Sequence, residues 1–424
     1  MTKLAINGGK PVRNTPFPNY VTIGESEKQA VMEVLDSTVL SKFLGTWSPD
    51  FYGGPRVKKL EREWEQYFHI RYAISMNSAT SCLYAAVGAA GVGPGDEVIV
   101  SPYTMSASAT APLIYGAIPV FADIDPDIFC ITPESIEKQI SAYTKAIIVV
   151  DILGHTADMD EIMQIARDNN LIVIEDAAQA PGGMYKGKYS GTLADIGVFS
   201  LNYHKTIHSG EGGIAVTNDD DLAERLQLIR NHAEVVVKKK EVKNIINLIG
   251  FNYRMTEIEA AIASEQLKKL GELLTARIRA ADYLTKRLRK FNGICPPVVR
   301  DDVKHGYYMY AIRFDKDKIG ISRDKFVQAL NAEGIPMWVG YQEPLYLAPM
   351  YQQKIAFGRN GFPFTYEGYK GNVSYSPGIC PVTENMYYNE LMYTNICHAN
   401  ITQRDLDDVI TGFEKVLENV TSIL

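Results

Sequence analysis

The sequence predicts an α/β protein: a large domain around a mostly parallel central sheet, and a smaller C-terminal α/β domain. Three observations carry this. From about residue 70 to 220, short β-rich runs alternate with helical stretches, and strand–helix alternation favours a parallel sheet with right-handed crossovers and helices on both faces. Most of those runs are continuous Val/Ile segments, the mark of strands buried on both faces. From residue 256 the alternation gives way to long helical periodicity.

The elements follow in order. Strands are expected at Tyr72–Met76, Glu97–Ser101, Pro119–Ala122, Ala146–Val150, Leu171–Glu175, Gly197–Leu201 and Gly213–Thr217. Helices are expected at Thr80–Ala90, Ala107–Tyr115, Pro133–Ile140 and Asp160–Asn169. Gly93-Pro94-Gly95-Asp96 is a turn ahead of the second strand. Thr256–Leu270 and Leu273–Phe291 read as two helices, and Thr256 is placed to cap the first, without a capping box from Glu257 or Glu259. Thr402–Leu424 reads as an amphipathic helix. A boundary near 270 divides the chain into a large domain of residues 1–270 and a smaller one of 271–424. The aromatic residues of the smaller domain, Trp338 among them, read as core.

Composition excludes several classes. Against 43 basic residues stand 50 acidic ones, a formal charge of −7, which leaves no electrostatic footprint for DNA or RNA. Lys238-Lys239-Lys240 reads as a solvated loop. The cysteines at 82, 130, 295, 380 and 397 form no CxxC pair, and such sparse, odd usage suits a reducing compartment. The start, MTKLAINGGKPVR, has no apolar signal core. Apolar runs such as Ala146–Val150 fall far short of the roughly 18 residues a membrane helix needs. A cytoplasmic protein without nucleic-acid or membrane partners is expected.

In open parallel sheets ligands bind beyond the carboxyl ends of the strands. Asp176 follows Leu-Ile-Val-Ile-Glu, and a carboxylate there is costly unless a cation meets it; an aspartate in this place also serves as a helix cap. Lys205 lies in a glycine-rich stretch between two strands, where an exposed loop lysine is the plainer reading. Ala79-Thr80-Ser81 stands where a strand turns into a helix, and the exposed N–H groups of such a turn suit a phosphate as well as ordinary capping. Neither GxGxxG nor a P-loop is present. Together, a phosphate cradle, a carboxylate and a lysine after three strands are the parts that pyridoxal phosphate needs. His204 and His208 are four apart, but the glycines around them argue against a helix, and no metal site is expected.

The stretch EDAAQAPGGMYKGKYSGTLADIGVFSLNYHKTIHSGEGGIAVTNDD resembles the sugar aminotransferases of the DegT/DnrJ/StrS type. GVGPGDEVIVSPYT, IPVFADIDP, GHTADMDEI, RNHAE, GFNYRMTEIEAAIA and TQRDLDDVITGFEKV extend the match over nearly the whole chain. The opening LAINGGKPVR is similar to the branch that aminates ketocyclitols. The resemblance implies the pyridoxal-phosphate transferase fold of aspartate aminotransferase (fold type I) and a homodimer with shared active sites. It implies transfer of an amino group from glutamate or glutamine to a keto group of a sugar, nucleotide-sugar or cyclitol. By it, Lys205 is the covalent anchor of the cofactor and Asp176 pairs with the ring nitrogen. Gln179 reaches the ring hydroxyl side, Thr80, Ser81 and Ser200 meet the phosphate, and Asn252 reaches the phosphate of the other subunit. Related dehydratases carry histidine where Lys205 stands; a dehydratase or aromatising synthase of the same family is the alternative reading. Met105 replaces an aromatic that commonly stacks on the ring, so Met105 or Tyr103 takes that role. His232, His305, Tyr307 and Tyr341 are the further candidates for substrate contact. For acid–base work Lys205 must titrate well below about 10.4, through burial or a nearby cation.

Overall fold

The continuous apolar runs become the central sheet of the computed structural model, which describes residues 3–423. Its strands are β1 (Tyr72–Met76), β2 (Glu97–Val100), β3 (Ile118–Phe121), β4 (Thr144–Val150), β5 (Ile172–Asp176), β6 (Ile196–Ser200) and β7 (Gly213–Thr217). Their order across the sheet is β1-β7-β6-β5-β4-β2-β3. Neighbours from β3 to β6 are parallel, while β7 runs antiparallel to both β1 and β6. Every residue of β6 and β7 is buried, as strands covered by helices on both faces must be.

The helices are α1 (Glu25–Asp36), α2 (Pro55–Phe68), α3 (Ala79–Ala89), α4 (Ser106–Ile114), α5 (Met159–Asp168), α6 (Asp220–Arg230), α7 (Glu257–Leu288), α8 (Arg323–Ala332) and α9 (Gln403–Glu418), with several shorter turns between them. A smaller antiparallel sheet is made of β8 (Ile294–Cys295), β9 (Tyr310–Phe314), β10 (Trp338–Val339) and β11 (Leu391–Thr394), in the order β8-β9-β11-β10.

Four expectations need correction. The two helices expected on either side of residue 271 are one, because α7 runs unbroken for 32 residues. Gly271 costs it about 1 kcal/mol relative to alanine, but Leu267, Leu270 and Leu273 are buried together in one cluster and outweigh that. The start of α7 also carries a capping box. Thr256 Oγ1 accepts from the Glu259 N–H (3.2 Å) and Glu259 Oε2 accepts from the Thr256 N–H (2.9 Å). Third, Trp338 is 44% exposed, stacked on Tyr393 at 5.9 Å. The other aromatics of that region do pack: Tyr346, Tyr351 and Tyr375 surround Phe121 and cover β3, an edge strand that would otherwise present unpaired backbone. Fourth, Lys240 leaves solvent to pair with Glu224 (2.6 Å) and to lie over the Trp47 ring at 4.5 Å.

The position at residue 270 lies inside α7. Its first half packs in the large-domain cluster with Trp64 and Phe199. Its second half, through Ala281, Leu284 and Leu288, packs in the small-domain core with Phe314, Phe326 and Phe413. Leu4 belongs to that second core, and the N–H groups of Ala5 and Val12 donate to the Glu333 carboxylate (2.8 and 3.0 Å). The start of the chain therefore docks on the small domain.

Trp64 is fully buried, 5.3 Å from Phe199 and 4.9 Å from Phe68, and its indole N–H has no acceptor among the described residues. Trp64→Ala is expected to lower unfolding stability by about 4 kcal/mol in a urea titration. Trp64→Phe, which removes the orphaned donor, should cost less than half of that; equal losses would contradict the packing origin.

Candidate active site

A cavity of about 940 Å³ opens at the carboxyl ends of β1, β5 and β6, and Ser78, Thr80, Asp176, Ser200 and Lys205 all line it. It lies where the strand-end rule directs a ligand.

Its first wall is the turn from β1 into α3. Ser78 is the N-cap of α3, its Oγ accepting from the Ser81 N–H (3.0 Å). Ala79 and Thr80, in the first turn at the positive end of that helix, line the cavity, and the N–H groups of such a turn have no partner within the helix. Gly213 lets β7 pass beneath: a Cβ there would sit 2.5 Å from the Ala79 nitrogen. Ser81 does not line the cavity; its hydroxyl donates to Asn77 Oδ1 (2.6 Å). Ser200, at the end of β6, does line it.

Asp176 closes a second wall. It is 6% exposed; Ser108 Oγ donates to one carboxylate oxygen (3.0 Å) and the Ala178 N–H to the other (3.2 Å). Burial raises its pKa, and these two hydrogen bonds and the charge of Lys205 oppose the rise. Gln179 is held from both sides. Its Oε1 accepts from the Leu153 N–H (2.7 Å) and its Nε2 donates to the Tyr341 hydroxyl (2.8 Å).

Lys205 is 6% exposed. Burial lowers its pKa to about 8, against the pull of Asp176. The expected depression is therefore present, with burial as its cause; a nearby cation, the other cause considered, does not contribute. Nζ lies 4.6 Å from the centroid of the Tyr308 ring. The Tyr308 hydroxyl is 2.6 Å from His204 Nδ1, so the histidine ahead of the lysine holds the aromatic ring that the lysine faces. Tyr20, from the chain's start, donates to the Thr206 carbonyl (2.5 Å) and ties the lysine loop down from the other side.

The remaining candidates divide. Met105 and Tyr341 line the cavity, Met105 at the rim with 49% exposure. Tyr103 is fully buried beneath Tyr341, its hydroxyl donating to the Gly340 carbonyl (2.5 Å). His305 and Tyr307 stack on each other, away from the cavity lining. Tyr307 has φ 44°, which breaks the side-chain alternation ahead of β9 and turns Tyr308 to the cavity instead. His232 starts a short helix outside the cavity, 3.8 Å from Glu234. Asn252 is exposed on the protomer, its Oδ1 accepting from Arg254 (2.7 Å). Sequence reasoning missed Ser78, Ser108, Tyr20, Tyr308 and Arg277. Ser78 alone had a visible signal, a hydroxyl directly ahead of a helix start.

Lys205 carries a testable charge penalty. Unfolded, it titrates near 10.5; folded and free of cofactor, near 8. Between those values the unfolded chain holds a proton that the folded chain lacks, so this residue makes stability rise with pH across the window, by on the order of 3 kcal/mol. Below about pH 8 the penalty is fully present. Cofactor-free Lys205→Met is expected to be more stable than the parent at pH 7, and the gap should close toward pH 10.5. A gap independent of pH in urea titrations would rule this out.

The donor set fits pyridoxal phosphate: helix-end N–H groups for a phosphate, a buried carboxyl for a ring nitrogen, and a buried amine of depressed pKa. Among the described residues no cluster of His, Cys, Asp and Glu could hold a metal, and no helix is long and apolar enough to cross a membrane. The profile of the DegT/DnrJ/EryC1/StrS aminotransferase family matches residues 22–375. GDP-perosamine synthase of Caulobacter vibrioides is 37% identical over 402 residues, covering 92% of this chain and 95% of that protein. A putative L-glutamine:3-amino-2,3-dideoxy-scyllo-inosose aminotransferase of Streptoalloteichus tenebrarius is 30% identical and covers 100% of this chain and 99% of its own. Among solved structures, the aminotransferase from Psychrobacter cryohalolentis superimposes with a TM-score of 0.81 at 29% identity, over 96% of this chain and 100% of the other. With the profile spanning most of its length and relatives matching it end to end, the chain belongs to the DegT/DnrJ/EryC1/StrS family and is a pyridoxal-phosphate-dependent aminotransferase.

Proposed function

We propose that this enzyme moves an amino group from glutamate or glutamine to a keto group of a sugar, nucleotide-linked sugar or cyclitol. The observation that carries this is the presence of a buried lysine of lowered pKa and a buried aspartate in one cavity. When bound, pyridoxal phosphate supplies the electron sink that makes a Cα–H acidic. Lys205 anchors it covalently, then serves as base and acid at Nζ, which needs the unprotonated amine that burial favours. Asp176 keeps a proton on the ring nitrogen through its Oδ atoms. Thr80, Ser200 and the N–H groups at the start of α3 hold the phosphate. Gln179 sits on the ring hydroxyl side, Met105 on the ring face, and Tyr341 toward the substrate. A lysine rather than a histidine at 205 favours transamination over dehydration.

A homodimer with shared sites completes this reading. Met105 and Tyr203, the latter 69% exposed, flank the cavity, and Ile245, Ile246 and Ile249 are each 60% exposed or more. Exposed apolar groups of this kind mark a surface that another molecule covers. Asn252 of each copy would reach the phosphate held by the other. Five unbonded cysteines suit the reducing cytoplasm.

The test is a half-reaction. Purified holoenzyme given glutamate or glutamine, with no acceptor, should lose the visible band of its covalently held cofactor and release the matching keto acid. A band that survives both donors, together with water elimination from a keto or hydroxy sugar, would select the dehydratase alternative.

A further inference from the structure

We propose that Arg277 is the carboxylate subsite of this cavity, taking a carboxylate of the amino-acid donor and of the keto-acid product. The proposal rests on the aminotransferase reading above and adds a residue to it.

Arg277 lines the cavity from the middle of α7 and is 4% exposed. A buried guanidinium is costly unless it is paired. Two other buried arginines are paired: Arg230 with Glu61 (2.6 Å) and Arg323 with Asp324 (2.8 Å). A third, Arg225, spends its donors on the carbonyls of Gly88, Ala89, Asn244 and Ile246. Arg277 has no acid of the kind that Arg230 and Arg323 have, and only one of its nitrogens meets carbonyls. Its Nη1 donates at 3.2 Å to the Tyr307 carbonyl and at 3.4 Å to that of Cys397. Its Nε is buried with no acceptor, and among the described residues no carboxylate stands within ion-pair reach. The group is also rigid, held by those two carbonyls and stacked over the Tyr20 ring at 4.6 Å. A cation fixed in place, short of acceptors and open to a ligand cavity is a preorganised anion site.

Its neighbours do not supply the anion. His398, 5.2 Å from the Tyr20 ring, has its pKa lowered to about 4 by burial and by Arg277. The Tyr20 and Tyr308 phenols are pushed up by burial and stay neutral. The cofactor's phosphate has its own cradle at Ser78–Thr80, and its ring nitrogen has Asp176. Tyr308 faces Lys205 Nζ at 4.6 Å and also feels the charge of Arg277. Arg277, Tyr308 and Lys205 line the same cavity, so a ligand whose amine would displace Lys205 from the bound cofactor could present its carboxylate to Arg277. An α-amino acid meets that description through its α-carboxylate, and glutamate also through its side chain.

The test combines binding and the donor half-reaction. Calorimetry on cofactor-free protein should show 2-oxoglutarate binding weakened at least about 30-fold in Arg277→Gln, partly restored in Arg277→Lys, with melting curves unchanged. In holoenzyme, loss of the visible band is then followed with L-glutamate, with L-glutamine and with the α-amide of glutamate. The amidation that costs wild type about what Arg277→Gln costs, and costs the variant nothing further, identifies the carboxylate on the guanidinium. Unchanged 2-oxoglutarate binding in Arg277→Gln overturns the proposal, as does weakened binding of uridine diphosphate in its place. Should Arg277→Gln fail to fold, Arg277→Lys and the wild-type amide series decide, and a wild type indifferent to both amidations overturns it. If wild type binds 2-oxoglutarate in an Arg277-dependent way yet reacts with no amino donor, the aminotransferase reading fails and the subsite stands.

Discussion

Lys205→Ala is expected to abolish the visible absorbance of covalently held cofactor and to lower turnover by more than about 10⁴-fold. In the proposed mechanism the size follows from one amine serving twice, as anchor and as proton carrier. The structure explains why no neighbour substitutes for it. His204 is turned to the Tyr308 hydroxyl, and burial together with the charge of Lys205 lowers its pKa. The Tyr308 phenol is buried and held protonated. Folding should survive, because the ammonium is a net cost to the folded chain at neutral pH. A variant that is well folded and still transaminates at a tenth of the wild-type rate would remove Lys205 from the mechanism.

Asp176→Asn isolates a single charge. The two side chains are nearly isosteric. The amide oxygen can take the hydrogen bond from the Ala178 N–H, and its NH₂ can donate to Ser108 Oγ, which accepts as readily as it donates. The variant should therefore fold and keep the cofactor, yet lose about 10³-fold in the donor half-reaction, because it removes the group proposed to hold a proton on the ring nitrogen. A second readout moves the other way. Burial raises the pKa of Asp176, so folding without cofactor disfavours its charged form relative to the unfolded chain. This residue's contribution is most favourable at low pH and is lost as pH rises through the raised value. At neutral pH, cofactor-free Asp176→Asn should be at least as stable as the parent. A clear loss of stability there would mean that the carboxylate is a structural ion and that the rate effect is indirect.

The strands were readable because Val/Ile runs buried on both faces leave a strong local signal, and all seven emerged within a residue or two. Thr80, Asp176, Ser200 and Lys205 were readable for a related reason: each sits within a few residues of a strand end, and strand ends are where this architecture places ligands. Failures came where local signals compete. Gly271 looked like a break in α7, but leucines on either side of it are buried in one core. Trp338 looked like core because it is apolar, yet it lies on β10, the edge strand of the small sheet, where both residues are exposed.

Length, the order of strands and helices, and the residue types after β1, β5 and β6 were sufficient to specify an α/β fold and to place a helix start, an acid and an amine at one end of the sheet, because each depends on contacts within one strand–turn–helix unit. What only the tertiary structure decided lies where segments far apart in the chain meet. It placed Tyr308 rather than Tyr307 beside the lysine, through a left-handed backbone at 307. It joined Gln179 to Tyr341, 162 residues away, and docked the N-terminal segment on the small domain. It also set Arg277 of a long helix at the cavity, with no acid to meet it among the described residues. Such outcomes depend on how α7 bridges two cores, and burial across that distance has no periodic trace in the sequence.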